Sequence, residues 1–481
     1  AMKRALDRDR ATVTVFAPNK QGITTDRRSD VTFHPTEDDD HEEDVDPSEA
    51  HRPLQVPGEL QVLSRATRFQ LDNGMRVVLL PIDAMPVVTV ELMFDAGDAL
   101  APDLPGLATS AVKLLLSGGL GPTGITWRSG ATDDHTFCAG HGVSLYLNVM
   151  ISGLERRFRT GRYYDEAVEQ WQRVTGAEYL HKRPHQRLEF AHQQLAAIYG
   201  PDHPYTRAGT LVPGWSGKIG VNALRSFREE HYTAANATLV IAGMFDPRRV
   251  ESQVREAFGY WSRGHKDVPV PRVTYQRTAP AHVGVIGDDD PLVDVALLYP
   301  SAPGVSGEQV ARLVLTTMLD EQMRRIRDKL GATYRADARR DARIGASAYR
   351  LGGAVDAPRA GEALRAMRTD INALRSDSNF DEMFVRARRK VVQQLIDGST
   401  ISRELAERLA YIARFGVEPS YFSDLLRDAA ALSPDQVKQL LAGELDPRSE
   451  VIVLLGDRAS VTRAFAEAGI DDARLVVPSA K

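Results

Sequence analysis

The sequence predicts an α+β protein of two duplicated domains, each a mostly antiparallel sheet packed with helices. Three observations point there. At 481 residues the chain is too long for one core, since domains run to ~100–200 residues. Strand-like runs cluster around helical stretches without regular strand–helix alternation, which argues against a parallel α/β sheet. An apolar strand followed by glycine, aspartate and a helix closes both halves. It reads Asn236-Ala237-Thr238-Leu239-Val240-Ile241-Ala242-Gly243-Met244-Phe245-Asp246-Pro247 in the first and Glu450-Val451-Ile452-Val453-Leu454-Leu455-Gly456-Asp457 in the second. Such self-similarity reads as an internal duplication.

Residues 10–17 alternate like a strand and stop at Pro18-Asn19, so 1–18 is expected to be a stray strand, the tail of a preceding domain. Residues 19–66 are polar and include an acidic run at 37–43; they are expected to be a solvated linker. That run lacks the aspartate and glycine spacing of a calcium loop.

The first domain is expected over 67–262. Phe69 to Leu80 reads as strand, turn, strand, with Asn73-Gly74 suited to a type I′ hairpin. A strand follows at 86–94, a helix at 104–116, strands at 134–139 and 143–150, and helices at 163–199 and 221–231. Asp246-Pro247 then opens a helix running to Phe258. Residues 263–272 read as a Gly/Pro/charge linker, and 273–481 as the second domain. Its strands are expected at 282–286, 293–299, 332–338 and 346–355. Its helices are expected at 307–330, 359–375, 381–396, 402–414 and 434–442.

Hydrophobic residues make up 43% and charged residues 26%, as in ordinary globular proteins. The net charge of -5, with arginines interleaved among acids, argues against nucleic-acid binding. Cys138 is the one cysteine, so an intrachain disulfide and cysteine zinc clusters are excluded; it reads as a structural thiol. No apolar run approaches the ~20 residues of a membrane span. No secretory signal follows Ala1-Met2-Lys3-Arg4, which leaves the compartment open between periplasm and cytoplasm, and the Ala/Arg-rich composition suggests a bacterium.

Several segments in order resemble the pitrilysin/insulinase family of inverted-zincin metallopeptidases. They are the hairpin Leu71-Asp72-Asn73-Gly74-Met75-Arg76-Val77-Val78, then Phe94-Asp95-Ala96-Gly97, Gly106-Leu107-Ala108, His203-Pro204-Tyr205, and His231-Tyr232 ahead of the 236–247 segment. The resemblance covers about 67–475. In active members the helix after Gly-Leu-Ala carries His-x-x-Glu-His. Imidazoles at i and i+4 share one zinc, and the glutamate activates a water.

The matching positions here are Thr109, Ser110, Ala111, Val112 and Lys113, and His-x-x-Glu-His occurs nowhere in the chain. Both histidines and the general base are lost, so no zinc is expected there. The family's later carboxylate ligand aligns with Glu178, which is expected either to pair with Lys113 or to face solvent. Among the 12 histidines, the densest group is His181, His185, Glu189 and His192, for which helix polarity is the simpler reading. His135 and His141 read as structural.

Arg327-Asp328-Lys329-Leu330-Gly331-Ala332-Thr333-Tyr334 resembles the family's second-domain motif. The resemblance implies that Arg327 and Tyr334 hold substrate backbone and stabilise an oxyanion in a partner's active site. A solvent-facing Arg and a packed Tyr are the bland alternative. The expected protein is a non-catalytic half of a two-part zinc peptidase that binds peptide or unfolded protein. It needs no cofactor in this chain, because zinc belongs to the partner, which is either a separate subunit or an upstream half of the same polypeptide. A structural or assembly protein with this fold is the alternative. An independent hydrolase lacks support, since no Gly-x-Ser-x-Gly elbow or phosphate loop is present.

Overall fold

Two six-stranded sheets organise the computed structural model, which describes residues 45–57, 61–117, 124–182, 185–209, 215–266, 280–288, 290–305, 307–331, 333–398 and 401–478. These fall within one unit, Val45–Lys481. The strand expected at 10–17 and the acidic run at 37–43 lie outside the described residues, as does most of the 263–272 linker.

The first half runs β1 (Thr67–Gln70), β2 (Arg76–Pro81), β3 (Val87–Phe94), α1 (Leu107–Leu115), β4 (Ile125–Ala131), β5 (Thr136–Val143) and α2 (Leu147–Thr160). It continues with α3 (Asp165–Lys182), α4 (His185–Tyr199), α5 (Pro204–Gly209), α6 (Val221–His231), β6 (Ala237–Gly243) and α7 (Pro247–Phe258). The second runs β7 (Ala281–Ile286), β8 (Leu292–Ser301), α8 (Gln309–Leu330), β9 (Thr333–Ala342), β10 (Ser347–Asp356), α9 (Ala360–Ala373) and α10 (Phe380–Asp397). It ends with α11 (Ser402–Phe415), α12 (Tyr421–Ala431), α13 (Pro434–Glu444), β11 (Val451–Gly456), α14 (Arg458–Glu467) and β12 (Arg474–Val476).

The sheet orders are β1-β2-β6-β3-β5-β4 and β12-β7-β11-β8-β10-β9. Five strands correspond one to one. The pairs β2/β6 and β7/β11 are parallel, and β6/β3/β5/β4 and β11/β8/β10/β9 are antiparallel throughout. The sixth strands differ, β1 being antiparallel to β2 and β12 parallel to β7. The α+β class and the duplication expected from sequence are therefore both present.

Each sheet is covered on both faces. Helices α1, α2, α6 and α7 pack on one face of the first sheet, around Leu92, Phe94, Leu239 and Ile241. Its other face is covered by α11 of the second half, whose Leu405, Leu409 and Ile412 meet Val78, Met93 and Val240. The second sheet is built the same way. Helices α8, α9, α10, α12 and α13 cover one face, and α4 of the first half covers the other, setting Phe190, Ile198 and Tyr199 against Val283, Leu298 and Val453. Each half thus lends a helix to its counterpart's sheet. The three large aliphatics of α11 alone contribute on the order of 5–9 kcal/mol of burial as an upper bound. Burial on both faces is also why β6 and β11 are continuous apolar runs rather than alternating ones.

Three local expectations differ from the structure. Of residues 143–150 only Val143 is extended, as the end of β5; 144–146 form a 3-10 turn and 147–150 open α2. Val143, Leu145 and Val149 alternate in sequence but are exposed, whereas Leu147, Met150, Ile151, Leu154 and Phe158 form the buried helical stripe of α2. The Asn73-Gly74 turn is not type I′, because positive φ occurs among the described residues only at glycines, here Gly74 at 93°. Instead Leu71 O accepts from Gly74 N at 2.8 Å, and Asn73 Nδ2 donates to Phe258 O at 2.7 Å, anchoring the loop to the end of α7. The expected 163–199 helix divides into α3 and α4, with Pro184 between them.

Part of the expected 19–66 linker is packed. Leu54 N donates to Ala430 O at 3.0 Å, Glu49 meets Arg389 at 2.6 Å, and Ala50 is buried in the second half's main core.

Candidate functional site

Helix α1 carries the residues, 109–113, that the sequence resemblance aligns with the metal-binding motif, and its interior is closed. Asp98 Oδ1 accepts from Ala108 N at 2.8 Å and Thr109 N at 3.2 Å, and its Oδ2 accepts from Thr109 Oγ1 at 2.8 Å. This carboxylate satisfies backbone donors that a helix start leaves open. Burial pushes Asp98 up to about 6, against the pull of those hydrogen bonds. Val112 is fully buried among apolar neighbours, and Lys113 is exposed. The phenols of Tyr163 and Tyr232 donate to Ala111 O at 3.2 Å and Ala108 O at 3.5 Å, sealing the helix from behind.

A zinc ion does not fit these residues. The helix offers neither imidazole nor thiolate, the Thr109 hydroxyl is spent on Asp98, and Val112 has no donor atom. Glu178 lies on α3, where its side chain and hence any pairing with Lys113 fall outside the described residues.

The second group of expected residues brackets a helix-to-strand junction. Arg327 is in the last turn of α8, Gly331 takes φ +56°, and Tyr334 is the second residue of β9, the edge strand of its sheet. Their side chains also lie outside the described residues. Further along β9, Asp337 and Arg340 line a cavity of about 530 Å³ together with Arg312, Lys390, Tyr411 and Tyr421.

The expected histidine group is not brought together. His185, Glu189 and His192 lie along α4 without converging on one point, and Glu189 Oε1 accepts instead from Gln193 Nε2 at 2.6 Å. The side chain of His181 is outside the described residues. His135 is buried beside Thr132 Oγ1 at 2.6 Å; burial, then the Arg414 charge, pushes it down to about 3, so it is neutral. His141 Nδ1 meets Thr89 Oγ1 at 2.9 Å. Cys138 is buried and its thiol is pushed up by burial, consistent with an inert packing residue.

Sequence reasoning missed a polar junction between the halves. The β4–β5 turn presents Asp133 and Asp134, the β9–β10 turn presents Arg343 and two backbone N–H groups, and the α4–α5 corner presents Tyr199 and Tyr205. Arg343 Nε donates to Asp133 at 2.5 Å and its Nη1 to Tyr199 at 2.7 Å. Asp134 accepts from Ile344 N at 2.9 Å and from the Tyr205 phenol at 2.6 Å, and that phenol accepts from Gly345 N at 2.7 Å. Burial pushes the Asp133 carboxyl up, more than the Arg343 guanidinium pulls it down. The motif pieces Gly97 and His203-Pro204-Tyr205 find their use here. A Cβ on Gly97 would lie 2.3 Å from the carbonyl oxygen of Asp133, so only glycine lets the end of β3 approach this turn.

A second buried charge lies under α11. Glu91 on β3 is 7% exposed, and its Oε2 has no hydrogen-bond partner. Burial, then repulsion from Glu407, pushes it up to about 7.

Two sheets of matching topology, with a helix α1 that offers no imidazole, thiolate or carboxylate at 109–113, frame the comparison with known proteins. Residues 218–391 match the family described as the peptidase M16 inactive domain. Solved structures of 14–16% identity share the fold. The peptidase M16 inactive domain from Pseudomonas fluorescens superposes with a TM-score of 0.71 at 16% identity, covering 82% of this chain and 98% of that one. A putative M16-like peptidase from Alicyclobacillus acidocaldarius gives 0.65 at 16%, covering 84% and 100%. The periplasmic protease PqqL from Escherichia coli gives 0.69 at 16%, covering 95% of this chain and 50% of PqqL. No curated protein matches in sequence. The chain thus shares the fold of M16 peptidases, and its residues 218–391 match that family's inactive domain. Among the described residues no helix is long and apolar enough to cross a membrane.

Proposed function

We propose that this chain completes the active site of a zinc-bearing M16 partner, supplying Arg327 and Tyr334 to a bound peptide or unfolded protein. The observation that carries the reading is α1, where the family's zinc ligands and general base are replaced by a threonine bound to Asp98, a buried valine and an exposed lysine. Such a chain has no hydrolytic chemistry at that helix and depends on another for it. The segment around Gly331 sets Arg327 and Tyr334 on either side of one turn at the start of an edge strand. In this reading their guanidinium and phenol donate to a carbonyl oxygen that becomes negative in the transition state. The partner is a separate subunit or an upstream half of one polypeptide; the half-length match to PqqL is compatible with the second.

The test pairs the full chain with an M16 subunit carrying His-x-x-Glu-His and follows cleavage of a quenched fluorescent peptide. Arg327→Ala is expected to lower turnover by ~10²-fold, the effect of losing an oxyanion donor. An effect below twofold removes Arg327 from the mechanism.

A further inference from the structure

Where the first half ends, three metal-ligating side chains come together far from the histidine group weighed above. Glu230 and His231 are the last residues of α6, and His265 lies on the segment that leaves the half after α7. One ligand atom from each lies within 4.8 Å of the others, the single such group among the described residues.

The scaffold fixes the His231 ring and the backbone that carries His265. The His231 side chain is 11% exposed, its ring lies against Phe227 with centroids 4.5 Å apart, and its carbonyl accepts from Asn236 Nδ2 at 3.0 Å. The backbone of 262–265 is bound along 233–235. Ala234 N donates to Ser262 O at 3.1 Å, Ala235 N to Arg263 O at 2.9 Å, and Thr233 Oγ1 to His265 O at 3.2 Å. Gly264 makes this approach possible. It takes φ +60°, and a Cβ there would stand 2.4 Å from the Thr233 side chain. The two imidazole centroids are 6.3 Å apart. Glu230 is adjustable, 59% exposed, with Oε2 4.0 Å from His231 Nε2.

We propose that Glu230, His231 and His265 form a zinc site, separate from the closed helix α1, that pins the exit of the first half to the end of α6. Two imidazoles and one carboxylate are the donor set of a borderline divalent ion, whereas calcium and magnesium take oxygen ligands. Two ligands of a tetrahedral zinc at ~2.1 Å stand roughly 3.4 Å apart, so the group closes on an ion by side-chain rotation of its two exposed members, Glu230 and His265. Three protein ligands leave one position for water or a fourth group. A zinc here would set aside the expectation that this chain needs no cofactor, which was argued from the motif positions on α1.

The experiment is calorimetric titration of zinc chloride into the chelator-treated full chain at pH 7.5, with thermal melts alongside. One zinc per chain is expected, with a dissociation constant below about 10 μM and a melting temperature that rises with zinc. His265→Ala and Glu230→Gln, both at exposed positions, are each expected to weaken binding at least ~10-fold with unchanged circular dichroism. His185→Ala is expected to change nothing. Binding that survives both substitutions, binding lost in His185→Ala, or no saturable binding up to about 100 μM overturns the site.

Discussion

Replacing Glu91 by glutamine is expected to flatten the pH dependence of this protein's stability between pH 5 and 8. The unfolded side chain ionises near 4.5, whereas the folded one holds its proton up to about 7. Between those values unfolding releases a proton that the folded state keeps, so Glu91 makes the fold less stable as pH rises through the window. The cost is complete above pH 7 and absent below 4.5. A rise of this size corresponds to about 3 kcal/mol at most. Glutamine keeps the shape and never ionises. Urea unfolding of both proteins at pH 5, 6, 7 and 8 cancels every other titrating group, including Asp98. The variant's advantage over wild type should grow by roughly 2–3 kcal/mol from pH 5 to pH 8. Parallel profiles, within about 0.5 kcal/mol across the range, would show that water or a cation reaches the carboxylate under α11 and would sink the argument.

Two further outcomes follow from the same structure. Arg343→Ala strands Asp133 in the junction between the halves and is expected to cost about 3–5 kcal/mol in urea unfolding, part of it recovered when Asp133→Asn is added; a loss below about 1 kcal/mol would show that the pair does not hold the halves. Cys138, buried with its thiol pushed up by burial, is expected to resist maleimide in the native protein and to label at once in urea. Rapid native labelling would contradict its packing.

The duplication was legible because both closing strands are buried on two faces and so stand out as apolar runs ending in glycine. The loss of the zinc motif was legible because it is local, five consecutive residues of one helix. Less local features were not. The stretch 143–150 carries two periodicities at once, and only the packing of α2 decides between them. Helix α12 was not expected, although Leu425, Leu426, Ala429 and Ala430 follow helical spacing; it packs against α8 and α10 rather than directly on the sheet. The Asp133–Arg343 pair spans 210 residues and Tyr205–Asp134 spans 71, and no spacing rule reaches that far. Glu230, His231 and His265 become one group only because Gly264 lets the chain return against Thr233.

The exchange of helices α4 and α11 also sets a timetable for synthesis. The first sheet is complete when β6 ends at Gly243, but the helix that covers its second face ends at Phe415. At ~5–20 residues per second the intervening chain takes roughly 10–35 s to make. Throughout that interval the nascent first half presents Val78, Leu80, Met93, Val240 and Ala242 to the cytosol as a bare apolar face. A holding chaperone can occupy it, and so can α11 from a neighbouring finished chain, which fits the same surface. The architecture that locks the halves together in one molecule therefore contains the recipe for a swapped dimer when translation is crowded.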